Sequence, residues 1–114
     1  MKRANPSLKL KEMKDITVVE LKKKKKAGEP IQLLDVREAH EREEYNIGGT
    51  FVPLGQLPKK LDDLPFDKDK EIVVYCRSGN RSGIAKELMV NNGFKKTRNL
   101  LGGMLEWSQE EAKD

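Results

Sequence analysis

A four-residue apolar run, Ile72-Val73-Val74-Tyr75, passes directly into Cys76-Arg77-Ser78-Gly79-Asn80-Arg81-Ser82. A helical pattern follows, with Ile84, Ala85, Leu88 and Met89 on one face. This strand–loop–helix unit constrains the fold more than any other stretch. Its continuous apolar run reads as a strand buried on both faces. The same alternation extends along the chain. Residues 16–18 suit a short edge strand. A helix over 20–27 is closed by Gly28, with Pro30 two residues on. A strand over 31–36, a short polar helix over 38–45 and a strand over 51–54 come next. A helical connection over 57–64 leads to the strand 71–75 and the long helix 81–91, ended by Asn91-Asn92-Gly93. A last strand over 97–101 precedes a terminal helix from Gly103 that carries Trp107. Alternating strands and helices predict an α/β domain with a largely parallel five-stranded sheet flanked by helices on both faces. Such sheets bind ligands beyond the carboxyl ends of their strands, where both Asp35 and Cys76 fall.

Cys76 is the sole cysteine of the chain. A lone cysteine is often a small buried hydrophobe. Here the six residues after it are polar or glycine, which make no apolar pocket. The junction of strand and helix presents backbone N–H groups to whatever rests above the sulfur. A helix N-terminus together with Arg77 and Arg81 favours thiolate over thiol, and the thiolate is the nucleophile. Cys76 is therefore the candidate catalytic residue, and 76–82 the candidate anion-binding loop. Gly79 is expected to take a conformation open mainly to glycine. Ser78 and Ser82 can donate hydroxyl hydrogen bonds, although Ser82 could simply start the helix. Arg77 is the candidate for substrate binding at the pocket mouth.

The chain has 114 residues, enough for one domain with a single core. The expected organisation is a mobile lead-in over 1–15 and one domain over 16–112. No stretch approaches the length of a membrane span, and the charged N-terminal segment lacks the apolar core of a signal peptide. One cysteine allows no internal disulfide, so the expected compartment is the cytoplasm. One Cys and one His make no structural metal site, and His40, in a charged run, is expected on a helix surface without a role. No cofactor is implied. The net charge of +4 is uneven: residues 1–30 carry 10 basic and 4 acidic side chains, the remainder 13 and 15. The run Lys22 through Lys26 spans more than a helical turn, so at least one lysine must face the protein with its stem on apolar surface. Such a run could meet nucleic acid or an acidic partner. A solvated helix is the favoured reading over nucleic acid, because no aromatic residue is interleaved for base stacking.

Four motifs, in order, resemble the rhodanese homology domain, the sulfurtransferase family. They are the loop from Cys76 to Ser82, Leu33-Leu34-Asp35-Val36-Arg37-Glu38, Ile47-Gly48-Gly49 followed by Val52-Pro53-Leu54, and Leu100-Leu101-Gly102-Gly103-Met104-Leu105-Glu106-Trp107. The resemblance implies a rhodanese-like fold and transfer of a sulfane sulfur from thiosulfate or a persulfide, by way of a Cys76 persulfide. The acceptor would be a thiol, cyanide or a protein cysteine, and must come from outside the chain. The resemblance also implies that Asp35 and Arg37 support the loop and that Arg81 pairs with Asp35. Asp35 is read as serving the fold, and Gly102, Gly103 and Trp107 as turn and core. The run from Asn46 to Thr50 departs from the usual family pattern. It resembles the rhodanese modules at the C-terminus of some adenylyltransferases, which implies a sulfur-relay partner protein.

Three rivals remain. A cysteine phosphatase shares the loop logic, but its loop is C-x5-R where Cys76 and Arg81 are spaced C-x4-R. A shorter ring of amides leaves a smaller pocket, which the family resemblance implies is suited to an outer sulfur and not to a tetrahedral phosphate. A non-catalytic or sulfur-carrier module serving a partner is the second, although non-catalytic modules typically lack the cysteine. A nucleic-acid-binding protein driven by the lysine run is the third.

Overall fold

The computed structural model describes residues 13–113. Within them lie four parallel strands, β1 (Gln32–Asp35), β2 (Thr50–Phe51), β3 (Ile72–Tyr75) and β4 (Thr97–Asn99), in the order β2-β1-β3-β4. The helices are α1 (Val18–Lys26), α2 (Ala39–Glu44), α3 (Leu57–Lys60), α4 (Asn80–Asn91) and α5 (Gly103–Ala112). Single 3-10 turns, Leu54–Gln56 and Leu61–Asp63, flank α3.

The two-residue period of a strand divides the core. Leu33, Val73 and Tyr75 point to one face, where Val18 and Leu21 of α1 and Met104 and Trp107 of α5 cover them. Leu34, Ile72, Val74 and Cys76 point to the other, against Leu57, Ala85, Met89 and Phe94. All four residues of β3 are fully buried. Each apolar side chain so buried contributes about 1.5–3 kcal/mol. The strand that ends at Cys76 is thus the most firmly packed element, and the loop starts from a fixed point.

Of the five expected strands, the edge strand over 16–18 is reduced to one bridge. Ile16 pairs in parallel with Leu100: its N–H donates to the Asn99 carbonyl at 3.0 Å, and its carbonyl accepts from Leu101 N–H at 2.9 Å. It extends no further because Thr17 caps α1. The Thr17 hydroxyl accepts from Glu20 N–H at 3.1 Å, so the helix begins at Val18, where an edge strand was expected to continue. β2 is also shorter than expected, since Pro53 and Leu54 turn into a 3-10 turn.

The expected lead-in falls outside the described residues up to residue 12. Residues 13–15 are tied to the domain. Lys86 Nζ donates to Asp15 Oδ1 at 2.7 Å, and Arg98 Nε to the Lys14 carbonyl at 2.7 Å. The lysine run lies on α1, and two of its ammonium groups, those of Lys22 and Lys25, sit 5.8 and 5.9 Å from the centre of the Trp107 ring. A stem on apolar surface with its ammonium in water was expected; here the ammonium groups themselves face an aromatic ring.

Candidate active site

Where β3 ends, Cys76 turns its sulfur under the N-terminus of α4. Gly79 caps that helix with φ +104°, a backbone conformation that side chains other than glycine rarely adopt. This left-handed turn folds the chain back over the sulfur. Sγ, in a residue only 1% exposed, accepts from Gly79 N–H at 3.1 Å and from Ser82 N–H at 3.4 Å, and the Ser82 hydroxyl oxygen lies 3.2 Å from it. Burial pushes the thiol up. The Ser82 hydroxyl and then the amides of Ser82, Gly79 and Ser78 outweigh it and hold Cys76 below its ordinary value. Hydrogen bonds to the charged form therefore dominate the lowering.

Seven loop residues and two supporting residues were candidates, and the structure places them differently. Cys76, Gly79 and Ser82 converge on the sulfur. Ser78 and Asn80 expose their side chains on the rim. Arg77 lines a cleft of about 380 Å³ between α2 and α5, together with Arg37, His40, Glu41, Tyr45 and Leu105. His40, expected to have no role, is exposed on α2 but contributes to that wall.

Arg81 does not pair with Asp35. Its Nη1 and Nη2 donate to the two carboxylate oxygens of Glu41 at 2.8 and 2.9 Å. Asp35, fully buried, is already occupied. Its Oδ1 accepts from Arg37 N–H at 3.0 Å and Arg37 Nε at 2.9 Å, and its Oδ2 from Arg37 Nη2 at 2.9 Å and Arg42 Nη1 at 3.4 Å. Arg37 is the nearer guanidinium, two residues along the same strand end, and it saturates the carboxylate bidentately. Arg42 goes on to the carbonyls of Gly48 and Gly49, at 3.2 and 2.9 Å, so Asp35 organises the β1 end and the glycine turn.

Three supports escaped the sequence reading. Asn99, at the end of β4, accepts from the Ser82 hydroxyl at 2.6 Å through Oδ1 and donates to the Gly79 carbonyl at 3.0 Å through Nδ2. Its signal was a polar residue closing a buried strand at the same sheet edge as Cys76. Glu41 was hidden in a charged run, three residues after Glu38, whose N–H donates to Glu41 Oε1 at 2.9 Å. Gly103 brings α5 against the loop backbone. Met104 N–H donates to the Cys76 carbonyl at 2.9 Å and Leu105 N–H to that of Arg77 at 3.0 Å. A Cβ on Gly103 would stand 2.5 Å from the Cys76 carbonyl oxygen, so no other residue permits this approach.

Chemically, the arrangement is a buried, hydrogen-bonded sulfur at the carboxyl end of a parallel sheet, with amides aimed at it and a cleft alongside. Among the described residues no group of three or more His, Cys, Asp or Glu is placed to hold a metal ion. No helix of the described residues is long and apolar enough to cross a membrane.

A family model described as the rhodanese-like domain matches residues 17–110. The chain is 42% identical over 100 residues to a putative sulfurtransferase, YtwF, of Bacillus subtilis, an alignment covering 87% of this chain and 94% of that protein. It is 37% identical over 95 residues to a putative sulfur carrier protein, YrkF, of the same organism. That alignment covers 82% of this chain and 50% of the relative, so the chain matches half of the carrier's length. Among solved structures, a rhodanese-like domain protein from Staphylococcus aureus superposes with a TM-score of 0.74 at 33% identity, covering 83% of this chain and 91% of that one.

Proposed function

This chain belongs to the rhodanese-like domain family, and on that premise we propose that it transfers a sulfane sulfur through a persulfide on Cys76. The observation that carries the reading is the environment of Sγ: the only sulfur nucleophile of the chain, accepting from two amides, with the Ser82 hydroxyl 3.2 Å away, in a loop that stabilises its anion.

The reaction has two halves. In charging, the Cys76 thiolate attacks the outer sulfur of a donor such as thiosulfate. The Sγ–S bond forms, the donor's S–S bond breaks, and its electron pair leaves with sulfite. The product is a Cys76 persulfide anion, a covalent intermediate that splits one transfer into two steps. The loop amides of residues 77–82 are preorganised donors for that anion. In discharge, an outside thiolate or cyanide attacks the outer sulfur, and the Sγ–S electron pair returns to Cys76. The charge of thiolate and persulfide is the same, so no proton need be lost or gained by the loop.

The residue roles follow from position. Cys76 is the nucleophile. Arg77 meets donor or acceptor in the cleft. Gly79 and Ser82 hold the anion, with Ser78 and Asn80 on the rim, and Arg81 fixes the helix to α2 through Glu41. Asp35 and Arg37 support the β1 end. Residues 16–112 act as one domain, in the cytoplasm, where thiols stay reduced. The likeness to a sulfur carrier supports a second form of the same chemistry, delivery of the sulfur to a partner protein. Thiosulfate-to-cyanide transfer measured on the wild type and on Cys76→Ser tests the reading. Turnover should be lost in the serine variant, and substantial residual turnover would refute a Cys76 persulfide.

A further inference from the structure

The Ser82 hydroxyl has one proton and two acceptors. It lies 2.6 Å from Asn99 Oδ1 and 3.2 Å from Cys76 Sγ, in a residue with no solvent exposure. Asn99 cannot reverse its amide to relieve the conflict, because Nδ2 donates to the Gly79 carbonyl at 3.0 Å. Oδ1 therefore faces Ser82 and brings no proton of its own. The short contact fixes the resting arrangement: Ser82 donates to Asn99 and turns a lone pair to the sulfur. A thiol suits that lone pair. A thiolate does not, and needs the proton instead.

Resting on the persulfide reading above, we infer that the Ser82 hydroxyl is a two-position donor, turned to Sγ whenever Cys76 is a thiolate and back to Asn99 when the sulfur is a thiol or a persulfide. In the persulfide the negative charge sits on the outer sulfur, and Sγ, bonded to carbon and sulfur, is a poor acceptor. Ser82 is then free to return to Asn99, while the amides hold the outer sulfur. When the acceptor attacks the outer sulfur, the Sγ–S bond breaks with its electron pair on Sγ, and the hydroxyl swings to meet the charge. Ser82 thus stabilises Cys76 as leaving group, and Asn99 Oδ1 accepts its O–H between events, the proton remaining on the Ser82 oxygen throughout. Ser82 touches the reacting sulfur itself, whereas Asn99 acts only through Ser82 and is a positioning residue.

The other groups around the sulfur do not supply this function. Arg81, which feels the charge on Cys76, is committed to Glu41 on α2. Arg77 is exposed and lines the cleft. From β1, the Asp35 and Arg37 side chains are bonded to each other. From β4 and α5 the nearest polar contacts are Asn99 and backbone amides. The mobile proton on the buried side of Sγ is that of Ser82.

The consequence is an asymmetry between the two half-reactions. Removing a hydrogen bond to a thiolate makes it more basic, by about one to two pH units. A more basic thiolate is a better nucleophile and a poorer leaving group. At a pH where Cys76 is ionised in both proteins, Ser82→Ala should charge with thiosulfate at least as fast as wild type and discharge to cyanide about threefold to tenfold slower. Two single-turnover measurements followed by mass spectrometry give these rates, and the pH dependence of iodoacetamide labelling gives the thiol's midpoint. Ser82→Thr keeps the hydroxyl and should restore both the midpoint and the discharge rate. Equal slowing of both halves in Ser82→Ala, or an unmoved labelling midpoint, would overturn the inference. The labelling profile needs no sulfur donor. A wild type that never gains sulfur therefore sinks the persulfide reading, while the midpoint still decides whether Ser82 serves the thiolate.

Discussion

Glu41 holds the Arg81 guanidinium through two hydrogen bonds and also accepts from Glu38 N–H. The Arg81 bonds are the first cause of its low carboxyl pKa, about 2 against an ordinary 4.5. A depressed carboxylate contributes stability that is present above about pH 4.5 and is lost as pH falls towards 2. Replacing Glu41 with Gln should cost about 1 kcal/mol at pH 7, since the pair is partly open to solvent. Urea unfolding of both proteins from pH 7 to 2 should show the gap closing below pH 4.5, and a gap independent of pH would show that the charge of Glu41 does not matter. At this scale the sequence reveals which residues carry charge or a nucleophile, but not their partners. Cys76 was legible from the polar and glycine residues that follow it, but their expected exclusion of apolar surroundings did not hold: the residue is buried on the face of Val74 and Ala85, and only its loop side is polar. Arg81 was assigned to Asp35, yet Arg37, two residues from that carboxylate, takes it first. Asn99 was passed over because its role exists only once β4 stands beside α4.

Between β3 and α4 the loop owes its shape to an element far away in sequence, the N-terminus of α5. Gly103 has φ +54°, and a Cβ there would stand 2.5 and 2.6 Å from the carbonyl oxygens of Cys76 and Arg77. Both are backbone atoms, so Gly103→Ala must push the loop away from α5 and break the bonds from Met104 and Leu105 N–H. Displacing a reacting group by a fraction of an ångström to 1 Å costs roughly tenfold to a hundredfold in rate. Gly103→Ala should lose thiosulfate turnover by that order. Gly55→Ala, where a Cβ meets nothing within 4 Å, should not. Equal activity of the two variants would show that α5 does not shape the loop. The strand–loop–helix unit was readable because a continuous apolar run followed by a 3.6-residue period has few structural solutions. The loss of the edge strand over 16–18 was not, because a threonine that suits a strand is also a helix cap, and the cap won at Thr17. The helical connection expected over 57–64 is a single helical turn, α3, followed by a 3-10 turn at Leu61–Asp63.

Across the whole molecule, the positive charge and the chemistry lie on different elements. The lysine run occupies α1, whereas the sulfur lies under α4 on the opposite face of the sheet. Exposed charge is screened over about 8 Å at physiological salt. Lys23 and Lys26 are exposed, and replacing both with Gln should leave thiosulfate turnover within about twofold of wild type. A larger loss with the circular dichroism unchanged would place their charge in the donor's path. Lys22 and Lys25 are poorer choices, because their stacking on Trp107 joins α1 to α5. The α/β architecture and its family were legible from four motifs in order, and the structure adds what the motifs leave out: which groups surround the sulfur. The central claim is that Cys76 carries the transferred sulfur. Intact mass spectrometry of the full chain after incubation with thiosulfate, without reductant, tests it most directly. The wild type should gain the mass of one sulfur atom and lose it again on adding cyanide, while Cys76→Ser gains nothing. A wild-type mass unchanged by thiosulfate and by a small-molecule persulfide, or a gain that survives in Cys76→Ser, would contradict it.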